Sequence, residues 1–205
     1  MEYELFEYEN DEKTIAGSDE AGRGPLAGPV VAACVVLGND FPVDILNDSK
    51  KLNVKQRLNI EPIIKEKSIA YSIVAIPNEI IDKINILQAS LLAMKMSYEQ
   101  IKDKTKIDML LVDGNKLPDV DVAVEAIVKG DSKIHAIMAA SILAKNERDR
   151  IMKEYDKIYP GYGFAKHKGY PTKEHYEAIK RLGPSPIHRL SFTLYKEEFE
   201  QKLLF

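Results

Sequence analysis

The segment DEAGRGPLAGP, residues 19–29, places two acids directly before a loop rich in glycine and proline. Residues 14–18 and 30–37 flank it, and both are short apolar segments with β-branched residues, which is typical of strands. Asp19 and Glu20 therefore fall at the end of a predicted central strand. Carboxylates in such a place are costly unless a cation, a proton or hydrogen-bond donors satisfy them. The segment predicts a metal-dependent phosphodiester site.

The glycines of this segment permit positive φ and a close approach of the backbone to a bulky ligand. Gly22, Gly24 and Gly28 are spaced one residue too widely for a dinucleotide fingerprint. Gly17 and Gly22 have P-loop spacing, but Arg23 stands where a P-loop requires lysine. A plain connecting loop is the remaining alternative, and it explains the glycines without explaining the acids before them.

Length and composition predict one globular domain. The chain has 205 residues, of which 45% are hydrophobic and 30% charged, and no apolar run approaches the roughly 20 residues that span a bilayer. We expect no membrane association and a monomer. The acidic N-terminal residues predict neither a signal nor a transit peptide. The single cysteine, Cys34, lies in an apolar segment, so we expect no internal disulfide and a cytoplasmic location.

The charges are unevenly distributed along the chain. The net charge is -3, yet residues 129–189 carry 13 Lys or Arg against 7 Asp or Glu, and all four histidines. A basic segment beside acidic loops favours a polyanionic partner. Ordinary solvated helix faces are the alternative, because Glu and Lys interleave through much of this segment.

Hydrophobic periodicity predicts an α/β fold. The predicted strands cover residues 14–18, 29–37, 68–76, 107–112 and 120–129. The predicted helices cover residues 53–67, 85–102, 134–158, 172–183 and 195–203, with Asn53 and Thr172 as N-caps. Three strands close in sequence favour an antiparallel meander, and the later alternation of helix and strand favours a mixed sheet with helices on both faces.

Two further acids follow predicted strands. Asp113 ends a continuous apolar segment, and although Asp113-Gly114 is a common hairpin signal, Pro118 interrupts any strand directly after it. Asp131 precedes the long predicted helix, where it is either a metal ligand or an N-cap. Ser132 can serve as that cap instead, so the residues alone leave both roles open.

Taken together, these segments resemble the motifs of the ribonuclease HII family. The first and last motifs are the specific ones, and the resemblance covers nearly the whole chain in the family's order. The matching motifs are DEAGRGPLAGP at 19–29, NDSKKL at 47–52, VDGN at 112–115, KGD at 129–131, MAASILAKNERDR at 138–150, YGFAKHKGYPT at 162–172 and GPSPIHRLSF at 183–192.

The resemblance implies a fold and an activity. The fold is a ribonuclease H-like mixed five-stranded sheet flanked by helices, in a single domain of residues 1–205 with a core at about 14–158 and a C-terminal helical extension at about 159–205. The activity is a metal-dependent endonuclease that hydrolyses the RNA strand of RNA–DNA hybrids. It also implies cutting on the 5′ side of single ribonucleotides in duplex DNA, leaving 3′-hydroxyl and 5′-phosphate ends.

The resemblance also assigns the catalytic acids. Asp19, Glu20, Asp113 and Asp131 match the family's metal-binding carboxylates, which would hold two Mg²⁺ or Mn²⁺ ions. Oxygen-only ligands favour such hard ions over zinc. Glu20 joins Asp19 only where the strand has ended, because adjacent strand residues point to opposite faces. Asp149 lies between two arginines inside a helix, and we interpret it as structural.

Substrate choice is assigned to the loop and to one tyrosine. By resemblance, Gly22, Arg23, Gly24 and Tyr170 read the ribose 2′-hydroxyl, the group that distinguishes RNA from DNA. A packing role before the next helix is the alternative for Tyr170. His188 is either a proton carrier or a packing residue. The candidates for phosphate contacts are Ser49, Lys50, Lys51, Lys166, Lys168 and Arg189.

Three alternatives concern the rest of the molecule. A ribonuclease HIII-like nuclease is disfavoured, because only 18 residues precede Asp19 and Arg23 replaces the lysine of that family's loop. A catalytically silent nucleic-acid-binding module of the same fold would not need the acids. The terminal residues Gln201, Leu204 and Phe205 resemble the Q-x-x-L-F peptide that docks on bacterial sliding clamps, whereas packing of the last helix on the core is the alternative.

Overall fold

The chain folds into a five-stranded mixed sheet with helices on both faces, as predicted. The structure is a computed structural model, and it describes residues 13–46 and 52–195. The strands are β1 (Ile15–Ala21), β2 (Val30–Leu37), β3 (Ser68–Ile76), β4 (Met109–Asp113) and β5 (Ala123–Ile127). The helices are α1 (Val54–Lys67), α2 (Asn78–Glu99), α3 (His135–Ile158), α4 (Phe164–His167) and α5 (Lys173–Leu182).

The sheet has the order β3-β2-β1-β4-β5. Strands β1, β2 and β3 form the predicted antiparallel meander, whereas β4 and β5 are added parallel to β1. Strand β1 is therefore central, with an antiparallel neighbour on one side and a parallel neighbour on the other. The carboxyl ends of β1, β4 and β5 consequently share one edge of the sheet.

Strand β2 divides the hydrophobic core into two layers. Its alternate residues Val30, Ala32, Cys34 and Val36 are buried with residues of α2, while those between them are buried with residues of α1 and α3. This follows from the period of two along a strand, because a strand covered on both faces presents apolar side chains to each. Cys34 is a free, buried cysteine.

Several element boundaries were predicted correctly. Strand β3 covers the predicted residues, and Asn53 caps α1 through a capping box with Gln56. Thr172 accepts a hydrogen bond from the His175 amide at the start of α5. The predicted division at Tyr159, directly after α3, stays a prediction.

The boundaries that differ from the prediction include the end of β1 and the start of α2, and the predicted ranges of β4 and β5 also differ by one to three residues at their ends. The first strand was predicted to end at Ser18, but β1 continues through both acids to Ala21, because these residues still pair with β2. Helix α2 begins seven residues before the predicted start, and Asn85 lies inside it at a kink with φ of 67°. The Asn85 side chain accepts a hydrogen bond from the Gln88 amide, as an N-cap does, at the predicted start of this helix. The helix predicted at 195–203 lies outside the described residues.

Gly17 allows α3 to lie directly on β1. A Cβ at this position would be 2.3 Å from the main chain of both Ala136 and Ile137, so the first turn of α3 contacts the strand backbone itself. Ile137 and Leu111 belong to the apolar cluster beside this contact. The position of α3 on β1 matters for the site, because Asp19 lies two residues after Gly17.

No helix in the described residues is long and apolar enough to cross a membrane.

We expect Gly17→Ala to destabilise the protein by about 1–3 kcal/mol, because the added methyl group meets main-chain atoms that cannot rotate away. Gly38→Ala is the matched control. Its Cβ would meet chiefly the Asp40 carboxylate at 2.9 Å, which can move. Thermal or urea unfolding of both variants measures the difference, and an equal effect of the two would contradict the close contact of α3 with β1.

Candidate active site

Three acids lie at the edge where the parallel strands end. The register of β1 and β4 ends with Ser18 beside Val112, and the next residue on each strand is an acid, Asp19 or Asp113. Asp131 follows β5 within a short 3-10 helix. The parallel half of the sheet therefore brings acids from three separate segments to one place.

Asp19 is buried and in contact with α3, with 4% of its surface exposed. Ser141 hydrogen-bonds to its carboxylate, and Lys145, one turn later, donates to the Ser141 hydroxyl at 2.6 Å. Burial is the main reason why the pKa of Asp19 rises to about 7, and the charges of Glu20 and Asp113 raise it further, against Ser141 and Lys145. A cation beside this carboxylate would stabilise its charged form and lower its pKa.

Glu20 remains in the strand, contrary to the expectation that the strand ends before it. Its backbone amide donates to Asp19 Oδ1 at 2.7 Å, and its own carboxylate pairs with Arg23 at 3.3 Å. Burial raises the pKa of Glu20, while Arg23 lowers it and Asp113 raises it. Glu20 is thus electrostatically coupled to the other acids and to the tip of the loop that follows.

Asp113 and Asp131 meet through the backbone. The Asp131 amide donates to Asp113 Oδ1 at 3.4 Å, and Asp131 is 8% exposed. Helix α3 begins after Ile134 without a side-chain cap, so neither Asp131 nor Ser132 is its N-cap. Asp113-Gly114 is no hairpin turn, because the next strand is parallel.

The chemistry of these four acids fits a hard divalent cation, but the distances between them are too large for a closed binding site. All four acids offer oxygen, the charges of Glu20 and Asp113 raise the pKa of Asp19, and the charge of Asp113 also raises that of Glu20. In residues 13–46 and 52–195, however, no three His, Cys, Asp or Glu side chains are close enough together to hold one metal ion. Mutual repulsion opposes closer approach in the absence of a cation.

The glycine loop, defined here as residues 22–29, leaves β1 directly after the acids. Arg23 and Gly24 form its exposed tip, whereas the other six residues are buried. Arg189 was a candidate for a phosphate contact, and this prediction is wrong. It is 0% exposed, and its guanidinium donates to carbonyls of the glycine loop.

Tyr170 lies against the tip of the glycine loop. It is 48% exposed, and a Cβ at Gly24 would be 3.7 Å from its ring. The guanidinium of Arg148 lies 5.8 Å from the ring centroid on the inner side. An exposed ring beside an exposed glycine forms a surface suited to a sugar, and packing accounts only for the inner side of the ring.

Three buried histidines support Tyr170 from below. The Ser185 amide donates to His188 Nδ1 at 2.8 Å, which leaves the proton on His188 Nε2. That nitrogen donates to His175 Nε2 at 3.1 Å, and His175 Nδ1 donates to the Tyr170 carbonyl at 3.0 Å. The ring of His167 stacks on His175 with centroids 4.4 Å apart.

Both linked histidines are held neutral. Burial lowers the pKa of His175 and of His188 to about 4. His188 is 1% exposed, so of its two predicted roles the packing role agrees with the structure. The chain of hydrogen bonds from Ser185 to Tyr170 depends on these neutral rings.

The remaining predicted residues have other surroundings. Lys166 pairs with Glu174, and the Lys168 ammonium donates to the Ala165 carbonyl. Asp149 accepts a hydrogen bond from Arg57 at 3.0 Å, in agreement with a structural role. Outside the described residues lie Ser49, Lys50 and Lys51, and the predicted clamp-binding residues Gln201, Leu204 and Phe205.

Sequence reasoning missed the residues that hold the site in place. Ser141 and Lys145 were predicted only as part of the helix at 134–158, although their i, i+4 spacing allowed one to support the other. Arg148 was noted only as a neighbour of Asp149. No pattern in the sequence distinguishes it from a surface arginine, because its hydrogen-bond acceptors are main-chain carbonyls.

Comparison with known proteins identifies relatives over most of the chain. The family model for ribonuclease HII matches residues 16–195. A ribonuclease HII from Caldanaerobacter subterraneus subsp. tengcongensis is 54% identical over 191 residues, which cover 93% of this chain and 78% of that protein. Another, from Francisella tularensis subsp. novicida, is 57% identical over 178 residues, covering 87% of this chain and 95% of that protein.

Solved structures agree with this fold. Ribonuclease H2 from Pyrococcus horikoshii OT3 has a TM-score of 0.73 at 26% identity and covers 88% of this chain and 94% of its own. RNase HII of Archaeoglobus fulgidus, solved in complex with PCNA, has a TM-score of 0.72 at 25% identity, with coverages of 92% and 99%. Bst-RNase HIII in complex with Mn²⁺ has a TM-score of 0.70 at 20% identity, with coverages of 89% and 68%, and at that identity it shows the fold alone.

We expect His175 and His188 to lower the free energy of unfolding as the pH decreases from about 6.5 to about 4. In this window the unfolded chain takes up protons on His175 and His188 that the folded protein excludes, because their folded pKa values are near 4. Removing one of these histidines should flatten the dependence. The variant His188→Gln should therefore lose less stability across the window than the wild type, by on the order of 1 kcal/mol.

Chemical denaturation at several pH values measures this difference. Asp19 acts in the opposite direction, because its folded pKa is raised and protonation stabilises the folded form, but it is present in both proteins and cancels. Equal slopes for the wild type and His188→Gln would contradict the neutral histidine pair.

Proposed function

This chain belongs to the ribonuclease HII family, and we propose that it cuts the RNA strand of RNA–DNA hybrids and the 5′ side of single ribonucleotides in duplex DNA. The family makes it a ribonuclease H-type hydrolase. The proposed products carry 3′-hydroxyl and 5′-phosphate ends. The observation that carries the proposal is the alignment of Asp19 with Asp113 at the carboxyl edge of the sheet, beside a glycine loop with an exposed tip.

We propose that Asp19, Glu20, Asp113 and Asp131 hold Mg²⁺ or Mn²⁺. Two such ions, when bound, would activate water and stabilise the leaving oxygen of an in-line displacement. The raised pKa of Asp19 supports this assignment, because a carboxyl group whose charged form is destabilised by burial and by neighbouring acids is typical of a functional site. Lys145 supports it as well, since its ammonium stabilises the ionised carboxylate through Ser141.

The proposed choice of RNA depends on the glycine loop and Tyr170. Main-chain groups of Gly22, Arg23 and Gly24 would meet the ribose at the tip of the loop. Among the described residues other than its chain neighbours, Gly24 has only the Tyr170 ring within 4 Å of a Cβ placed on it. The 2′-hydroxyl both donates and accepts hydrogen bonds, so a fixed backbone can distinguish it from hydrogen. Substrate phosphates would contact the basic residues, with Lys50 and Ser49 among the candidates by resemblance.

Other proposals concern partners and setting. We propose a monomer that acts in the cytoplasm, where a lone cysteine stays reduced. A sliding clamp is a proposed partner through Gln201–Phe205, supported by the complex of the A. fulgidus relative with PCNA. Packing of this end on the core remains the competing proposal. A ribonuclease HIII-like activity has no specific support, because its resemblance extends only to the fold.

Asp19→Asn and Asp113→Asn should each lower the cleavage rate by about 1,000-fold or more, because metal ions contribute several kcal/mol to such reactions. The assay uses a DNA duplex with one ribonucleotide, in Mg²⁺ or Mn²⁺, and chelator should abolish cleavage by the wild type. Asp119→Asn is the control, since the Asp119 side chain is 99% exposed and pairs with Lys95 on the surface. Cleavage near the wild-type rate in either acid variant would refute the metal site. Cleavage by the wild type that is lost in both variants would distinguish this protein from a silent binding module.

Tyr170→Ala should reduce cleavage at a single ribonucleotide by about tenfold or more while changing duplex affinity less. Affinity depends mainly on phosphate contacts, whereas a small misplacement of the sugar slows the reaction strongly. Tyr195→Ala, another exposed tyrosine, controls for loss of surface aromatic area. Parallel losses of affinity and rate in Tyr170→Ala would assign Tyr170 a general structural role.

A further inference from the structure

The guanidinium of Arg189 fills the inside of the glycine loop. Arginine has five N–H donors, and here each meets a main-chain carbonyl of the loop at 2.6–3.1 Å. The acceptors are the carbonyls of Gly22, Arg23, Pro25, Gly28 and Pro29. The Arg189 amide adds a bond to the Leu26 carbonyl at 2.8 Å. One residue thereby binds six consecutive or nearly consecutive peptide groups.

Arg148 completes this arrangement from the side of α3. It is 3% exposed and donates to the carbonyls of Ala27, Pro29 and Lys168. Residues 148 and 189 together bind seven of the eight carbonyls of the glycine loop. In the described part of the chain, the Gly24 carbonyl is the one without such a bond.

Neither guanidinium has a carboxylate within ion-pair distance among the described residues. Two like charges share the Pro29 carbonyl, and burial lowers the pKa of Arg148 to about 10 and that of Arg189 to about 9. Partial charges of peptide oxygens compensate the cations here in place of an acid. Buried cations with such partners hold the oxygens inward firmly, because an unpaired one would be very costly.

Two positions of the loop require glycine because side chains of α3 lie directly against them. At Gly22, with φ of 101°, a Cβ would be 2.1 Å from Arg148 Nε. At Gly28, with φ of 82°, it would be 2.3 Å from Met152 Sδ. At Gly24, by contrast, the nearest atom is on Tyr170 at 3.7 Å. The loop is therefore filled from within and open at its tip.

We propose that Arg189, assisted by Arg148, is a positioning residue for ribose recognition, because it turns the carbonyls of the glycine loop inward. The exposed Arg23-Gly24 tip then presents its amide donors to solvent. In the described residues, the amides of Arg23 and Gly24 have no main-chain acceptor, so they are available to an oxygen of the substrate. This inference rests on the proposed function, in which the same tip meets the 2′-hydroxyl.

Lysine cannot replace either arginine in this role. Its ammonium has three donors on one atom, whereas the guanidinium distributes five donors in a fixed plane. Arg189→Lys keeps the charge and loses the fork, and Arg148→Lys removes fewer bonds to the loop. Arg57→Lys is the matched control, because Arg57 makes its bonds to Leu52, Asn146 and Asp149, none of which belongs to the loop.

The test measures ribose preference and loop conformation separately. Preference is the ratio of the dissociation constants of two duplexes that differ by one 2′-hydroxyl, measured with Ca²⁺ in place of Mg²⁺. Loop conformation is followed by the amide NMR signals of Arg23 and Gly24 in the free protein. We expect Arg189→Lys to lower the preference by about tenfold or more and to shift both signals, with a smaller effect for Arg148→Lys and none for Arg57→Lys.

Each outcome decides the question. A folded Arg189→Lys variant that keeps the preference would overturn the inference. Where Arg189→Lys does not fold, Arg148→Lys decides, and an unchanged preference in that variant overturns it. A wild type that binds the two duplexes equally would refute the proposed reading of ribose by this tip, while the NMR signals of the variants would still establish whether the arginines set the loop.

Discussion

The hydrogen bonds from the buried Arg189 guanidinium to the glycine loop are the interaction on which the arrangement of the site depends. They connect the C-terminal segment to the loop between β1 and β2, and so fix the loop next to Asp19 and Glu20. The same segment carries His188, whose ring is hydrogen-bonded to His175, and His175 in turn is hydrogen-bonded to the Tyr170 carbonyl. The loop and the tyrosine are thus set by neighbouring residues of one segment, which keeps both in register with the acids.

The acids impose the opposite kind of constraint, since they cost stability instead of providing it. Asp19 is buried beside other carboxylates, and its charge is favoured only by Ser141 and Lys145. A protein that keeps such a group sacrifices stability for function, as is common at active sites. Helix α3 limits this cost, because its close contact with β1 at Gly17 places Ser141 within reach of the carboxylate.

Much of the fold was predictable from local patterns. β3 and the start of α1 followed from alternation and from the capping residue Asn53. β1 was predicted too short, because acids and glycines are usual signs of a strand end, while pairing with β2 continues through them. Asn85 accepts a hydrogen bond from the Gln88 amide, as an N-cap does. It nevertheless lies at a kink inside α2, which already begins at Asn78.

The candidate site was predictable only in part, for a physical reason. Acids that directly follow apolar strand segments can be recognised in the sequence, and the resemblance to a family selected four of them. Arg189 was a candidate for a phosphate contact, whereas its actual acceptors are carbonyls that every residue possesses. Contacts between a side chain and the main chain leave no complementary residue in the sequence, so neither Arg148 nor Arg189 could be assigned this role.

The distance along the chain between Arg189 and its acceptors also has a consequence for the order of folding. The bonds join residues 160–167 positions apart, so they form only after almost all of the described chain has been synthesised. The meander β1-β2-β3 can assemble long before that, because its contacts are local. A nascent chain on the ribosome can therefore form the hairpin that carries Asp19 and Glu20 while the conformation of the glycine loop is still not fixed.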